Sequence, residues 1–401
     1  MSVLNSTGGS GSTRSRFMKA QCPVCESTQL GDIYPSFSGT CITSDMMVLR
    51  EASLENRLCK ECGLIFNAGG TRGRAEAFYK DSYNLMMKSP DAAIQSFSGP
   101  APISQAERTH QILREMTSLP ADGSVLEIGA GKGDFLGYFL EESRDWRAAA
   151  FEPSSAFDVL QQRFPTASLR RCDYKEFDAE AASFDLIVAL GVLEHVENPL
   201  DMLKWAHRHL KEAGLFYIRV PNFAKNPNDL FCADHLSKLT LHTLESLAHA
   251  AGFDVMSSKE AGVPIFVLLR KIAAPKPHAV NVAELNLHTV DQNATVAKSA
   301  MDAIDRCRKA ADASGEPFAI FGLGSSGLFA PFYLGFDAGK IAAYLDENRS
   351  TWGSGLNGRP VGGLDKIKEL GIRHVALAIS PVYFDQVKAK LVPYGVEVYS
   401  A

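Results

Sequence analysis

Val125-Leu126-Glu127-Ile128-Gly129-Ala130-Gly131-Lys132-Gly133-Asp134-Phe135 decides the fold of this chain. An apolar strand runs into a tight glycine turn and then into a helix, the layout of a nucleotide-cofactor loop. The glycines Gly129, Gly131 and Gly133 let the backbone turn sharply and approach a ligand closely, and Glu127 stands just before the turn, where its carboxylate can face a cationic group. The spacing G-x-G-x-G differs from the G-x-G-x-x-G of dinucleotide sites. It favours S-adenosylmethionine, which is cationic at its sulfonium and amino groups and carries no pyrophosphate.

Downstream of this loop, strand and helix patterns alternate, as expected for an α/β fold with a parallel sheet between two layers of helices. Strands are expected at Ala148–Phe151, Ser168–Cys172, Phe184–Leu190 and Leu215–Val220, with a closing antiparallel pair near Phe253–Ser257 and Pro264–Arg270. Phe184–Leu190 is apolar almost throughout, as a strand buried on both faces requires. Upstream, a helix is expected at about Ser104–Ser118. Ala273–His278, with two prolines, reads as a linker. Beyond it the alternation resumes, with a helix near Val290–Ala313, strands at Phe318–Phe321, Ile341–Leu345, His374–Ile379 and Val396–Tyr399, and a helix near Gly363–Leu370. The expected organisation is a flexible leader over 1–18, a zinc-binding module over 19–77, a class I methyltransferase Rossmann-like domain over 78–272 and a smaller C-terminal Rossmann-like substrate-binding domain over 279–401. Met18 could then be the native start.

Length and charge agree with such a protein. A chain of 401 residues is too long for one ordinary core. Its 41 Lys and Arg against 46 Asp and Glu give no basic field for nucleic acid or an anionic membrane, so the expected partner is a small molecule. No apolar run approaches the ~20 residues of a membrane span, and no secretory signal pattern is present. A cytoplasmic location is expected; the oligomeric state is not legible. Four of eight cysteines form two C-x-x-C knuckles, Cys22/Cys25 and Cys59/Cys62, spaced as ligands of one tetrahedral zinc ion.

Acidic residues at strand ends are the next candidates, because ligands bind beyond the carboxyl edge of a parallel sheet. Glu152 is placed to accept the ribose hydroxyls of the cofactor and Asp173 to take the adenine amino group, while Leu190 and Gly191 would flank the methionine portion. His195, after the fourth strand, faces the same edge. His235 follows the fifth strand, with Asp234 beside it to hold a histidine in a base-competent tautomer. Asn222 closes that fifth strand and is a candidate substrate contact. The later loop Gly322-Leu323-Gly324-Ser325-Ser326-Gly327 has the dinucleotide spacing, and Gly324, Ser325 and Ser326 could hold a diphosphate through backbone N–H groups.

The order of these parts resembles the sugar C-methyltransferases of deoxysugar biosynthesis, which methylate C3 of nucleotide-linked 4-keto-6-deoxysugars. The knuckles, Glu127–Gly133, Leu193-Glu194-His195 and the stretch from Asp346-Glu347-Asn348-Arg349 to Gly358-Arg359-Pro360-Val361 carry the likeness. The resemblance implies an enolate mechanism with His235 as base, His195 stabilising the enolate oxygen or relaying the proton, and Tyr79 and Tyr83 reaching the sugar, Tyr83 as a further catalytic candidate. The family's Tyr-x-Glu-His run stands here as Cys232-Ala233-Asp234-His235, so the tyrosine is lost, and Leu85 and Met86 stand where further aromatics are expected. Cys232 keeps an O- or N-methyltransferase on another nucleotide-linked or small polar acceptor in view. A zinc ribbon fused to a methylase also suits RNA, against which the acidic balance counts, and the second glycine loop would suit a dehydrogenase.

Overall fold

The computed structural model describes residues 20–83, 95–96, 103–177, 180–273 and 280–401. The expectations for the leader, for Leu85 and Met86 and for most of the linker fall outside the described residues.

A seven-stranded sheet forms the centre, in the order Phe253–Glu260, Pro264–Lys271, Leu210–Pro221, Phe184–Leu190, Asp122–Ile128, Asp145–Phe151, Ser168–Arg170. All neighbours are parallel except Pro264–Lys271, which runs antiparallel to both of its partners. Alternate residues of each strand feed opposite faces. Val125, Leu186, Val188 and Tyr217 pack with Phe135 and Phe139 on one side, whereas Leu126, Ile187, Ala189 and Phe216 pack with Met202, Leu203 and Trp205 on the other. After Asp122–Ile128 the chain winds outward to Ser168–Arg170 and then returns to Phe184–Leu190 on the other side of the first strand. This reversal opens a crevice at the carboxyl edge, beside the glycine loop.

The N-terminal residues build a separate antiparallel sheet from Leu30–Ile42, Val48–Cys59 and Ile65–Asn67. Its fourth strand is Ser237–Lys238, from the segment after the fifth strand of the central sheet, paired with Ile65 and Phe66. Gly63, after the second knuckle, has φ +76°, and a Cβ there would lie 2.6 Å from the backbone of Val282 and Ala283. That close approach seats the start of a 33-residue helix, Val282–Ser314. The helix begins eight residues before the expected Val290, because the Asn281 side chain accepts the Glu284 N–H and caps it there.

The C-terminal sheet has six strands, in the order Gly355–Leu356, Arg359–Gly362, Ile341–Leu345, Phe318–Phe321, His374–Leu377, Glu397–Tyr399. One hydrophobic cluster joins the regions, with Leu54 and Leu58 of the N-terminal sheet, Phe223 and Phe231, Met301 and Ile304 of the long helix, and Phe318, Phe329 and Tyr344 of the C-terminal unit. Residues 223–236 are thereby clamped from three sides. Among the described residues no helix is long and apolar enough to cross a membrane.

Candidate active site

The loop after Asp122–Ile128 turns through three glycines in the left-handed region, with φ of +63° at Gly129, +56° at Gly131 and +75° at Gly133. A Cβ on Gly129 would lie 2.8 Å from Val192, and one on Gly133 would lie 2.5 Å from Phe164. Gly133 caps the helix Asp134–Glu142, so it shapes the turn, while Gly129 and Gly131 border a cavity with Glu152, Asp173, Leu190 and Gly191. Tyr79, Tyr83 and His195 form its other wall. Glu152 bridges the loop to its own strand end, accepting the Gly131 N–H at 2.8 Å and the Ser154 N–H at 2.9 Å.

Glu127 borders an adjoining cavity that shares Gly129, Gly131 and Leu190 with the first. It is 3% exposed, and its Oε2 has no hydrogen-bond partner among the described residues. Burial holds its carboxyl well above the usual carboxylate range, and burial also raises Asp173. A buried carboxyl with one oxygen unpaired is costly by itself and fits a cationic ligand. The ammonium of S-adenosylmethionine is such a group, and Glu152 and Asp173 add acceptors on the same side.

The histidines meet behind this cavity. The His195 and His235 rings are 4.8 Å apart, and Tyr79 stacks edge-on against His195 at 5.1 Å. The Tyr79 hydroxyl lies 2.5 Å from His195 Nδ1 and donates to Asp234 Oδ2 at 3.0 Å. Tyr83 lies 4.9 Å from the Tyr79 ring. Burial first, then Asp234, pushes the phenols of Tyr79 and Tyr83 well above their ordinary value. The carboxylate on a histidine, however, is Asp229, which is hydrogen-bonded to His235 Nδ1. The Asp234 carboxylate lies within ion-pair reach of the other ring, its Oδ2 3.6 Å from His195 Nδ1. Its Oδ1 and Oδ2 also take the Ser44 N–H and hydroxyl, each at 2.7 Å, and its backbone carbonyl lies 3.0 Å from His195 Nδ1.

A model of the methyltransferase domain matches residues 104–258, which hold the glycine loop, Glu152, Asp173 and both histidines. A probable S-adenosylmethionine-dependent methyltransferase of Mycolicibacterium smegmatis is 24% identical over 152 residues, 37% of this chain and 59% of that protein. Residues 104–258 form an S-adenosylmethionine-dependent methyltransferase domain. The chain spans little more than half the length of that relative. The O-methyltransferase hasC of Aspergillus fumigatus is 50% identical over 42 residues, 10% of each chain. A structure of the 1,6-didemethyltoxoflavin-N1-methyltransferase of Burkholderia thailandensis, with 1,6-didemethyltoxoflavin and S-adenosylhomocysteine bound, aligns at a TM-score of 0.34 and 26% identity, over 42% of this chain and 79% of that one.

Four expected substrate contacts are not among the residues bordering the two cavities described above. Asn222 is 1% exposed, and its side chain accepts the Ala224 N–H, capping the turn that follows. Gly324 caps the helix Ser325–Leu334, Ser326 is buried with its hydroxyl on the Ala378 carbonyl, and Ser325 is half-buried beside them. The carboxyl edge of the C-terminal sheet, from which this second glycine loop also emerges, faces the methyltransferase domain. Phe321, Asp346 and Ile379, each at or just past a strand end, border a cleft whose opposite wall includes Arg108, Arg219 and Phe266. Gln105, Thr109 and Arg219 line both this cleft and the Glu127 cavity, so the two adjoin. Nothing in the sequence pattern singled out Arg219 or Asp229, although both stand at or soon after the end of the fifth strand.

The four knuckle cysteines converge. Cys22 and Cys62 sulfurs are 3.5 Å apart, as are those of Cys25 and Cys59, and all four lie within 4.8 Å of one another. Zinc–sulfur bonds of about 2.3 Å in a tetrahedron place sulfurs about 3.8 Å apart, so the donor set fits that ion.

Proposed function

We propose that the protein transfers a methyl group from S-adenosylmethionine to a carbon of a nucleotide-linked keto-deoxysugar, through an enolate formed beside the ketone. S-adenosylmethionine, when bound, supplies an electrophilic methyl group on a cationic sulfur. Glu127, Glu152 and Asp173 would hold its ammonium, ribose and adenine ends. The cleft between the two sheet edges would receive the acceptor, with Asp346 and Arg219 as its polar contacts, in place of the amides of the second glycine loop.

The observation that carries this reading is the pair of touching imidazoles beside the donor cavity. A hydroxyl or amine acceptor needs one base at most. A carbon acceptor needs two groups, one to take the C–H proton and one to meet the oxygen that gains charge. Alignment supplies the rest, since the carbon, methyl and sulfur must lie in line with reacting atoms about 3 to 3.5 Å apart. The four cysteines would hold a structural zinc ion, because four thiolates leave no open coordination position.

The test is mass spectrometry on a panel of nucleotide 4-ketosugars with methyl-labelled donor. Incorporation at carbon next to the ketone, with solvent deuterium entering the same carbon when donor is omitted, is expected. Incorporation at oxygen or nitrogen, without exchange at carbon, would refute it.

A further inference from the structure

The proton positions around the two histidines follow from counting donors. Asp234 is fully buried, and its carboxylate takes four donors, namely the Ser44 N–H and hydroxyl, the Cys232 thiol at 3.1 Å and the Tyr79 hydroxyl at 3.0 Å. The single phenolic proton of Tyr79 is therefore directed at Asp234. The 2.5 Å contact between the Tyr79 oxygen and His195 Nδ1 must then use a proton from the imidazole. The other neighbours of Nδ1 are the Asp234 carbonyl at 3.0 Å and, farther off, the Asp234 Oδ2 at 3.6 Å, both acceptors. Nδ1 of His195 carries hydrogen, and the neutral ring presents its lone pair at Nε2. His195 is the histidine that lines the donor cavity.

His235 differs in its partner. Its Nδ1 faces the Asp229 carboxylate, itself 4% exposed. Burial opposes charge on both, yet the pair and the nearby Lys238 hold Asp229 ionised, and the hydrogen-bonded Asp229 carboxylate favours the charged form of the His235 imidazole. The remaining groups around the His235 ring are Asp234, Glu194 and the Lys238 ammonium, which is fixed on the Cys232 and His235 carbonyls. Two imidazoles in contact do not both carry charge cheaply. Asp229 is hydrogen-bonded directly to His235, whereas Asp234 Oδ2 stands 3.6 Å from His195 Nδ1 and already takes the Ser44 and Tyr79 hydroxyls, so the charge resides on His235.

We infer that His195 is the base of the reaction and that His235, held by the positioning residue Asp229, donates a hydrogen bond to the ketone oxygen, the reverse of the roles the sequence suggested. The inference rests on the enolate reading above. The C–H proton passes to His195 Nε2, and its electron pair delocalises to the ketone oxygen, where the His235 Nε2–H meets it. The carbon then forms its bond to the methyl group while the carbon–sulfur pair stays on sulfur as a neutral thioether. His195 returns its proton to solvent before the next turnover.

Glutamine separates the roles, because its amide donates a hydrogen bond but does not abstract a proton. With the acceptor that the wild type methylates, His235→Gln is expected to lose about 100-fold in kcat, and His195→Gln to lose all measurable methylation and all deuterium exchange at carbon. Calorimetry with S-adenosylhomocysteine checks that each variant is folded. Turnover by His195→Gln alongside a dead His235→Gln overturns the inference. A second arm needs no acceptor. In protein labelled with [15N]histidine and assigned with the same variants, NMR at pH 7 is expected to show His195 neutral with hydrogen on Nδ1 and His235 doubly protonated. Hydrogen on His195 Nε2, or a neutral His235, overturns the inference even if no acceptor on the panel is methylated, an outcome that would count separately against the proposed function.

Discussion

Two glycine loops in this chain share a plan and differ in what their glycines do. Each follows a parallel strand and leads into a helix, and each is tied down by an acid at the end of the next strand. Glu152 accepts the Gly131 N–H at 2.8 Å, and Asp346 accepts the Leu323 N–H at 3.2 Å. In the first loop three positive-φ glycines keep the backbone low, and cavities open beside it. In the second only Gly322 has positive φ, +108°, and its missing Cβ makes room for Ile379 and the Ala378 carbonyl. Gly327 packs as closely, against the Gly322 carbonyl and Ala378. Glycines matched by a motif therefore report a close approach, and only the neighbours say whether a ligand or the protein itself approaches.

The contrast breaks first at Gly322. Gly322→Ala adds a Cβ 2.5 Å from Ile379 at a backbone angle that alanine avoids, and should lower stability by about 3 to 4 kcal/mol, read by denaturant unfolding, with donor affinity unchanged in the folded fraction. Glu152→Ala in the first loop should do the opposite, costing about 100-fold, or about 2.7 kcal/mol, in calorimetric affinity for S-adenosylhomocysteine, while Asp346→Asn leaves that affinity alone.

Glu127→Gln sharpens the comparison with effects of opposite sign, since affinity for S-adenosylhomocysteine should fall about tenfold while the ligand-free protein becomes more stable at neutral pH. The Glu127 carboxyl holds its proton in the folded state at a pH where the unfolded chain has lost it. Its contribution to stability thus falls as pH rises above the unfolded value, about 4.5, up to the raised folded one, and Tm against pH in the variant should lose that slope. Smallest of all, Ser325→Ala and Gly324→Ala should shift stability by less than about 0.5 kcal/mol and leave donor affinity unchanged, because φ at Gly324 is −67° and its Cβ would find ordinary contacts.

The central sheet was legible because its strands follow simple rules. Phe184–Leu190 reads as a buried strand from an unbroken apolar run, and its bounds match the structure residue for residue. Glu152 and Asp173 could be found from their places at strand ends, and the structure puts both in the cavity wall. Contacts over long sequence distance were not legible. Ser44 and Asp234 are 190 positions apart, and no periodicity joins them. Asp229 was overlooked because Asp234 is adjacent to His235, whereas the one-turn geometry of Pro227–Phe231 folds the more distant carboxylate back onto the ring. Asn222 had the right residue type at a strand end, yet its oxygen satisfies a backbone N–H.

The pairing of Ser237–Lys238 with Ile65–Phe66 means that the chain leaves the methyltransferase domain, completes the cysteine-rich sheet and comes back. Excision of the first seventy residues would strip an edge strand of its neighbour and remove Ser44, Asn56 and Asn67, whose side chains anchor the histidine-bearing segment. The two parts form one inheritable unit: a graft of a foreign cysteine-rich sheet would bring a new seat for the imidazoles with it, and a fragment that keeps the histidine segment in place has to retain both.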